Sequence, residues 1–562
     1  MRMNTTRVVL VRRLERLLLW AFRRPARVFG LVAAVGAVVL GTLGLAWGAA
    51  GIVGGILVLN LTGIVVLSIG VLLLARRVQG RLDDDVDEGD TRRDDLHTKL
   101  SDLERRVTTI ATREADRQLA VARRAVEDGD VEAAVEAYEN ALAWAPQRRK
   151  ARDEHLAAVE RLHAGDDPAR GFARVADRQL RAGSDDHARA LVDRGLELAP
   201  KSLGLRERRV ALLANEGDHT RALDLALEAA EQRVQRLQAQ RPSEAAKRPL
   251  TTSGRIAIAG FYYSGSGAVK DHLRGFAGVD VWPPVGELRI IKFPGGFADL
   301  GRRLQLRGQL RAKDLVDHYL HLIGRKLTST PPGVYDKWEV VNANSRRLLR
   351  RSEETAGYLE VCLTSFLTLV EEALDSQLDE ESLSAHSRAW LARALDAAAT
   401  DIGVDHLVID QVVTGWRLEL ARYLPPSSFV LVHRDPRDQF AEVREVIKQP
   451  GRSSRRRSPR QFAKSYRAHQ LQAAEQIPWL EQRLGHRVLR VSFEDFVLDH
   501  EVQAARIQEF VGLQEREPSE RRFDPAVSRR NVGKHVAMVS KEEVHLLGEL
   551  LREYLHPGCE PV

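Results

Sequence analysis

The sequence has very little cysteine: two residues, Cys362 and Cys559, in a chain of 562. Neither belongs to a CxxC pair or a Cys/His spacing, which excludes a disulfide framework and a zinc-binding motif. So few cysteines favour a reducing compartment. Aromatic residues are only 6% of the chain but hydrophobic residues are 44%, a globular composition rather than a disordered or collagen-like one. The length predicts a multidomain protein, at about 100–200 residues per domain.

The net charge of +7 comes from the N-terminal tail. Residues 1–27 contain eight arginines and one acid, Glu15, so the remaining residues are neutral overall. The basic balance is therefore no evidence of nucleic-acid binding. Apolar clusters alternate with arginines in residues 1–28, which predicts a basic amphipathic tail lying on anionic lipid. Solvated disorder is the alternative for its first few residues.

Residues 29–75 contain no charged residue. One transmembrane helix needs about 20 apolar residues, and a signal peptide has a shorter apolar stretch, so this segment predicts two transmembrane helices. A buried core hairpin is disfavoured because such helices keep a polar face. Arginines flank both ends, which places both ends in the cytoplasm. We expect a multi-pass protein of the inner (cell) membrane, with the bilayer as a partner and soluble domains facing the cytoplasm.

Residues 82–113 predict an acidic segment followed by a helical stalk. Apolar residues recur at alternating intervals of four and three from Leu96 to Ile110, which is typical of a coiled coil. This seam spans barely two heptads, so a homodimer through the stalk and a single helix both stay open.

Residues 114–232 predict stacked helix pairs. Ala188 and Ala222 are 34 residues apart, and Ala188 precedes Pro200 by twelve residues. This phase resembles tetratricopeptide repeats, which implies an all-α region able to bind a protein partner. An irregular helical spacer is the alternative. Residues 233–254 contain Gln, Arg, Ala and two prolines, and they predict a linker.

A short apolar run at residues 256–260 precedes a Gly/Ser-rich turn and then a helical pattern from Ala268. A strand, a tight turn and a helix N-terminus together bind anionic oxygens, because unpaired N–H groups and the helix dipole meet there. An ordinary αβ turn is the alternative. No Gly-Lys-Ser/Thr follows, so the turn is not a Walker A loop, which disfavours a nucleotide kinase.

Three later segments carry further motifs. They are the strand 429–432 with Arg434-Asp435-Pro436-Arg437-Asp438, then Phe493-Glu494-Asp495 followed by Phe510-Val511-Gly512-Leu513, and then Arg529-Arg530-Asn531. Together with the Ser-Gly-Ser turn they resemble the sulfotransferase family, which uses 3′-phosphoadenosine 5′-phosphosulfate (PAPS). The resemblance covers residues 255–559. It implies a P-loop-like α/β domain with a parallel sheet, a PAPS-dependent activity of the EC 2.8.2 type, and no metal.

The resemblance also implies binding residues. The turn would hold the 5′-phosphosulfate through Tyr263, Ser264, Gly265, Ser266 and Gly267. Arg434 would bind the 3′-phosphate of the nucleotide, and its alternative role is an ion pair with Asp438 or another neighbour. Arg529 and Arg530 would form a second 3′-phosphate clamp, for which a solvated basic turn is the alternative.

The chain departs from the family pattern at three places. Tyr263 stands where the family usually has Lys or Arg, Ser266-Gly267 where it has two threonines, and Glu442 where a serine is common. Lys270 and Lys292 are candidates for the missing positive charge.

Sulfuryl transfer needs in-line placement of acceptor and sulfate, and a base for the acceptor proton. Glu287 is the first candidate base, His272 the second and Asp410 the third, each with a structural role as the alternative. Residues 303–400 predict a helical insertion on the acceptor side. The basic run 452–460 is either a mobile flap or a solvated loop.

The sequence therefore predicts a membrane-anchored sulfotransferase that moves a sulfuryl group to a hydroxyl of a membrane-associated glycan or glycolipid. The alternative is a catalytically inactive, sulfotransferase-like scaffold that binds partner proteins through its helical repeats.

Overall fold

A computed structural model of the chain describes residues 91–163, 167–182, 184–240, 254–261, 263–284, 287–325, 345–375, 378–447, 458–514 and 516–559. Contacts within the chain define two compact units, residues 1–114 and residues 115–562. In the first unit the described part belongs to helix α1 (Thr91–Glu127), which continues into the second unit. The rest of the fold belongs to the second unit.

The prediction of a membrane-spanning fold requires a correction. Across the ranges just given, no helix combines the length and the apolar character that crossing a bilayer demands. The predicted spans at residues 29–75 and the basic tail at residues 1–28 lie outside those ranges. We therefore correct the fold class to a helical N-terminal region followed by an α/β domain with a parallel sheet. The multi-pass localisation in the inner membrane is withdrawn.

Six helices with short connections follow α1. They are α2 (Val131–Trp144), α3 (Arg149–Leu162), α4 (Pro168–Ala182), α5 (Asp185–Leu198), α6 (Leu203–Glu216) and α7 (His219–Gln240). Asp130 caps α2 through a hydrogen bond from the Ala133 N–H, and Gly217 ends α6 with a φ of 90°.

The small residues picked out by the sequence spacing lie in the core of these helices. Ala134, Ala188 and Ala222 have no exposed surface, which lets neighbouring helices approach closely. The assignment to tetratricopeptide repeats and the homodimer stay predictions. Helix α7 continues to Gln240, into the segment expected to be a linker, because Gln, Arg and Ala are good helix formers.

The second half of the chain forms one five-stranded parallel sheet. Its strands are β1 (Gly254–Gly260), β2 (Val279–Trp282), β3 (His406–Asp410), β4 (Ser428–His433) and β5 (Arg487–Ser492), in the order β2-β3-β1-β4-β5. Apolar residues cover both faces of the central strand: Ile256 and Ile258 pack into one cluster, and Ala257 and Ala259 into another. A strand buried on both faces is typical of a parallel sheet between helices.

Helices and short 3₁₀ segments surround the sheet. The helices are α8 (Ser266–Leu273), α9 (Phe297–Arg307), α10 (Ala312–Leu322), α11 (Ser352–Asp375), α12 (Glu380–Ile402), α13 (Pro436–Ile447), α14 (Pro459–Leu484), α15 (Phe493–Leu498), α16 (His500–Val511), α17 (Pro525–Ser528), α18 (His535–Met538) and α19 (Lys541–Leu550). The 3₁₀ segments are Leu418–Tyr423, Arg529–Asn531, Arg552–Tyr554 and Pro557–Cys559.

The strand order determines which loops can meet. Strand β1 lies between β3 and β4, and Gly260 at its end pairs in register with Val432. The turn after β1 therefore lies between the segments that follow β3 and β4. In open parallel sheets the carboxyl ends of the strands are where ligands bind.

Candidate functional site

The turn between β1 and α8 has a backbone that few residues adopt. Gly265 has a φ of 83° and Tyr263 a φ of 57°. A Cβ on Gly265 would lie 2.2 Å from the Phe493 ring, so glycine is needed there for both its φ and its size. The Ser264 hydroxyl is buried and has no hydrogen-bond partner among the described residues. The turn thus places an unused hydroxyl beside the N–H groups at the start of α8.

The side chain of Arg434, which follows β4, reaches this turn. It is only 3% exposed, and its guanidinium donates to the Tyr263 carbonyl at 3.3 Å and to the Asn531 carbonyl. It also lies over the Phe493 ring, 4.9 Å from the centroid. The structure therefore brings Arg434 together with the predicted turn, although the two are 171 residues apart. Its Nε has no hydrogen-bond partner in the described part of the chain.

Glu442 lies between two cations. Its carboxylate is 2.6 Å from the Lys534 ammonium and 3.6 Å from the Arg434 guanidinium. The acid that stands where the family commonly has a serine is thus paired rather than isolated. Sequence reasoning missed Lys534, although it ends the basic segment that begins at Arg529.

The two arginines predicted as a second phosphate clamp lie on an exposed 3₁₀ turn. Arg529 and Arg530 immediately precede Asn531, whose carbonyl accepts from Arg434. Neither arginine forms an ion pair with another described residue. Both are therefore sequence neighbours of a residue that contacts Arg434, and both are exposed to an anionic ligand.

Asp438 fixes the C-terminal loop to the start of α13. Its buried carboxylate accepts hydrogen bonds from the Gly533 N–H at 2.7 Å, the His535 N–H at 2.9 Å and His535 Nδ1 at 2.6 Å. Burial alone would raise the pKa of Asp438, but the bonds from His535 and the nearby Arg434 charge outweigh it and lower the pKa. Asp438 is thus an anchor for the loop, and the ion pairs of Arg434 are with Glu442 and Glu494.

Glu494 has a similar holding role beside the end of β4. It accepts from the Asp435 N–H at 2.9 Å and from the Ser492 hydroxyl at 3.0 Å, and burial raises its pKa. Asp438, Glu494 and Cys559 form a compact group of potential metal ligands. The two carboxylates are already bound to N–H and O–H groups, and burial raises the pKa of the Cys559 thiol. These contacts fit a structural role for Asp438, Glu494 and Cys559. The absence of a metal stays a prediction.

On the other side of the turn, Gln411 follows β3 with a φ of 51°. The side-chain amide of Gln411 donates to the Ser266 hydroxyl at 2.8 Å. The main-chain carbonyl of Gln411 accepts a hydrogen bond from the Lys292 ammonium. The Lys292 ammonium also lies 3.0 Å from the Glu287 carboxylate. Burial lowers the pKa of Lys292, and the Glu287 charge partly opposes this. Glu287 is therefore connected to the turn through Lys292 and Gln411.

Two other sequence candidates are connected to each other. The Lys270 ammonium is 3.1 Å from the Asp410 carboxylate. Asp410 lies at the end of β3, and Lys270 lies one turn into α8. Both lysines predicted to supply the missing positive charge are therefore paired with a carboxylate, Lys270 with Asp410 and Lys292 with Glu287.

His272 lies in an aromatic cluster in the last turn of α8. The rings of Phe276, Phe496 and His500 are 5.2–5.7 Å from its ring. Burial lowers the pKa of His272 to about 4, and His500 adds to this effect. The structure does not bring His272 to the turn, since six residues of helix, about 9 Å, separate it from Ser266.

A small apolar cavity lies beside Glu287. Its volume is about 50 Å³, and it is lined by Glu287 and, among others, Leu288, Ile290, Leu359 and Leu363. The cavity therefore fits a small apolar group next to a carboxylate.

Part of this site lies in a segment that matches a known family. Residues 323–517 match the model of a family described as the sulfotransferase family. The chain therefore contains a sulfotransferase family domain, and the match includes Arg434, Glu442 and Glu494.

Two solved structures are similar to the chain. The sulfotransferase domain of the olefin synthase from Synechococcus PCC 7002 is 14% identical with a TM-score of 0.25, covering 55% of this chain and 92% of that one. Sulfotransferase STF9 from Mycobacterium avium is 13% identical with a TM-score of 0.27, covering 63% of this chain and 84% of that one. No curated protein matches the chain.

Proposed function

We propose that the chain is a sulfotransferase that moves a sulfuryl group from PAPS to a hydroxyl acceptor. One observation carries the proposal: the guanidinium of Arg434 donates to the carbonyl of Tyr263. An anion-binding turn and a buried arginine therefore meet at the carboxyl ends of β1 and β4. The family domain supports the reaction class, since sulfotransferases generally use PAPS as the sulfate donor.

The residues of the site fit the two charged ends of PAPS. The N–H groups at the start of α8 and the unpartnered Ser264 hydroxyl suit the 5′-phosphosulfate. Arg434, Lys534 and the exposed Arg529 and Arg530 suit the 3′-phosphate, because guanidinium groups bind phosphate through paired hydrogen bonds. PAPS supplies an already activated sulfuryl group.

The chain itself has to position the acceptor and take up its proton. Glu287 is the base that the geometry favours, because it borders the apolar cavity and is connected to the turn through Lys292. The Lys292 ammonium, next to that carboxylate, can stabilise the negative charge that develops during transfer. The acceptor is thus a hydroxyl compound with an apolar group that enters the cavity. The glycan or glycolipid acceptor stays a prediction. It was inferred from a membrane association that forms no part of this proposal.

Calorimetric titration of the full chain with adenosine 3′,5′-bisphosphate (PAP) tests the donor site. We expect binding that Arg434→Ala abolishes and that Arg444→Ala leaves unchanged. Arg444 is a matched control because it also stacks on a phenylalanine and forms an ion pair, with Glu543, but outside the site. A folded wild-type chain that does not bind PAP would refute the proposal and favour the inactive scaffold.

A transfer assay tests the base. With labelled PAPS and a panel of small alcohols and phenols, we expect Glu287→Gln to lower the transfer rate at least 100-fold, within the range of general base catalysis. The affinity for PAP should stay the same. Equal activity of Glu287→Gln and the wild type would exclude Glu287 as the base.

A further inference from the structure

A large basic groove lies in the helical region, outside the candidate donor site. Its volume is about 950 Å³, and its charged lining is Arg170, Arg174, Lys201, Arg208, Arg236 and Arg350, with the acids Asp167 and Asp177. We call it the basic groove. Six basic side chains against two acidic ones make it strongly positive.

Most of these cations have no carboxylate partner among the described residues. The Asp177 carboxylate forms ion pairs with the guanidinium groups of Arg208, at 2.5 Å, and of Arg325, at 3.0 Å. Arg170, Arg174 and the remaining three are exposed, and none forms an ion pair with a described residue. Elsewhere on these helices arginines are commonly paired across helices, as Arg194 is with Glu160. The basic groove thus gathers five cations that have no carboxylate partner among the described residues.

The backbone of α6 adds to the positive potential. This helix of fourteen residues begins at Leu203, and Leu203 and Gly204 line the basic groove. The first turn of a helix leaves N–H groups without intrahelical partners and carries the positive end of the helix dipole. Ser202 caps only the Leu205 N–H. An anion in the groove would meet these N–H groups as well as the side chains.

The uncharged lining indicates the kind of anion. It consists of Ala169, Ala173, Ala199, Pro200, Ser202, Leu203 and Gly204, and it contains no aromatic residue. Grooves that bind single-stranded nucleic acid combine positive charge with aromatic side chains on which successive bases stack, and this lining has no aromatic side chain. Small side chains let an extended backbone approach closely, and arginine forks match carboxylates.

We propose that the basic groove binds an acidic peptide segment, rich in Asp and Glu, of a partner protein. Arg170 and Arg174 on α4 are one turn apart and would contact carboxylates from one wall. Lys201, Arg236 and Arg350 would contact them from the other lining elements. The proposal does not depend on PAPS or on sulfuryl transfer.

Fluorescence anisotropy of the full chain with a fluorescein-labelled octaglutamate peptide, at about 0.1 M salt where screening acts beyond about 10 Å, tests this inference. We expect saturable binding that Arg170→Glu/Arg174→Glu weakens at least tenfold and that Lys201→Ala/Arg350→Ala weakens to a smaller extent. The matched control is Arg149→Glu/Arg161→Glu, which reverses two exposed charges on α3 outside the groove and should change the affinity less than twofold.

Each other outcome overturns the proposal. These outcomes are the absence of binding by the wild type, an equal loss in the α3 control, and binding of heparin or single-stranded DNA at least tenfold tighter than the peptide through the same arginines. Circular dichroism checks that the variants keep their helix content, and PAP titration checks that the donor site is unaffected. Failure here with intact PAP binding would leave the proposed function standing.

Discussion

Replacing Glu442 by glutamine should strengthen the binding of PAP while weakening the fold. The carboxylate lies 2.6 Å from Lys534 and 3.6 Å from Arg434, so it competes with a phosphate for both cations. Two unit charges about 4 Å apart interact by about 4 kcal/mol at an effective dielectric constant of about 20. Glu442 is about a quarter exposed, and glutamine keeps a hydrogen-bond acceptor, so only part of this energy is recovered.

We therefore expect Glu442→Gln to lower the Kd for PAP about tenfold, which corresponds to about 1.4 kcal/mol. Without ligand, the loss of the ion pairs should lower the free energy of unfolding by about 1–2 kcal/mol. Calorimetric titration measures the first quantity and urea unfolding the second. Glu509→Gln, an exposed change on α16, is the control and should alter neither. An unchanged or higher Kd in a folded Glu442→Gln variant would refute the assignment of the 3′-phosphate to Arg434 and Lys534.

Two further predictions follow from the buried polar groups. Asp438→Asn should lower the free energy of unfolding by about 2–4 kcal/mol, because the charge-assisted bonds to Gly533 and His535 are lost; a loss below 0.5 kcal/mol in urea unfolding would contradict the anchoring role. The pKa of His272 is about 4 in the folded chain, below its unfolded value of about 6.5. Between these two values the unfolded chain binds a proton that the folded chain does not bind. The stability contributed by neutral His272 is therefore present above pH 6.5 and is lost as the pH falls toward 4. His272→Leu should therefore lose less stability than the wild type between pH 7 and pH 5, whereas the exposed His545→Leu should behave as the wild type does; equal slopes for all three would exclude a neutral buried His272.

The sheet strands nearest the site could be predicted from the sequence for a physical reason. A parallel strand buried on both faces needs a continuous apolar run, and residues 256–260 and 429–432 are such runs inside β1 and β4. The glycine of the turn could be predicted too, because a strand followed at once by a helix requires a sharp reversal. The positive φ of Gly265 shows how that reversal is made.

The pairing of charges could not be predicted. Glu442 and Lys534 are 92 residues apart, and Gln411 and Ser266 are 145 residues apart. Local spacing reports which face of a helix or strand a residue occupies, but which cation meets which carboxylate depends on how distant segments pack. For this reason Glu442 looked in the sequence like an isolated acid in a phosphate site.

His272 illustrates the same limit on a helix. Its position in α8 was evident from the sequence, and a histidine near a phosphate-binding turn was a reasonable candidate base. Phe276 is a local neighbour, but the other two rings that surround His272, those of Phe496 and His500, come from α15 and α16, more than 200 residues later. Only the packing of those helices against α8 places His272 in the core.

The way Arg434 links the turn to Asn531 has a consequence for synthesis of the protein. A ribosome makes Tyr263 long before it makes Arg434, and Asn531 and Lys534 come later still. The proposed nucleotide site is therefore completed only after the segment that carries Asn531 and Lys534 has been made. A chain that ends before Asn531 would contain the turn and Arg434 but would lack the carbonyl that accepts from Arg434 and the ammonium of Lys534 that pairs with Glu442.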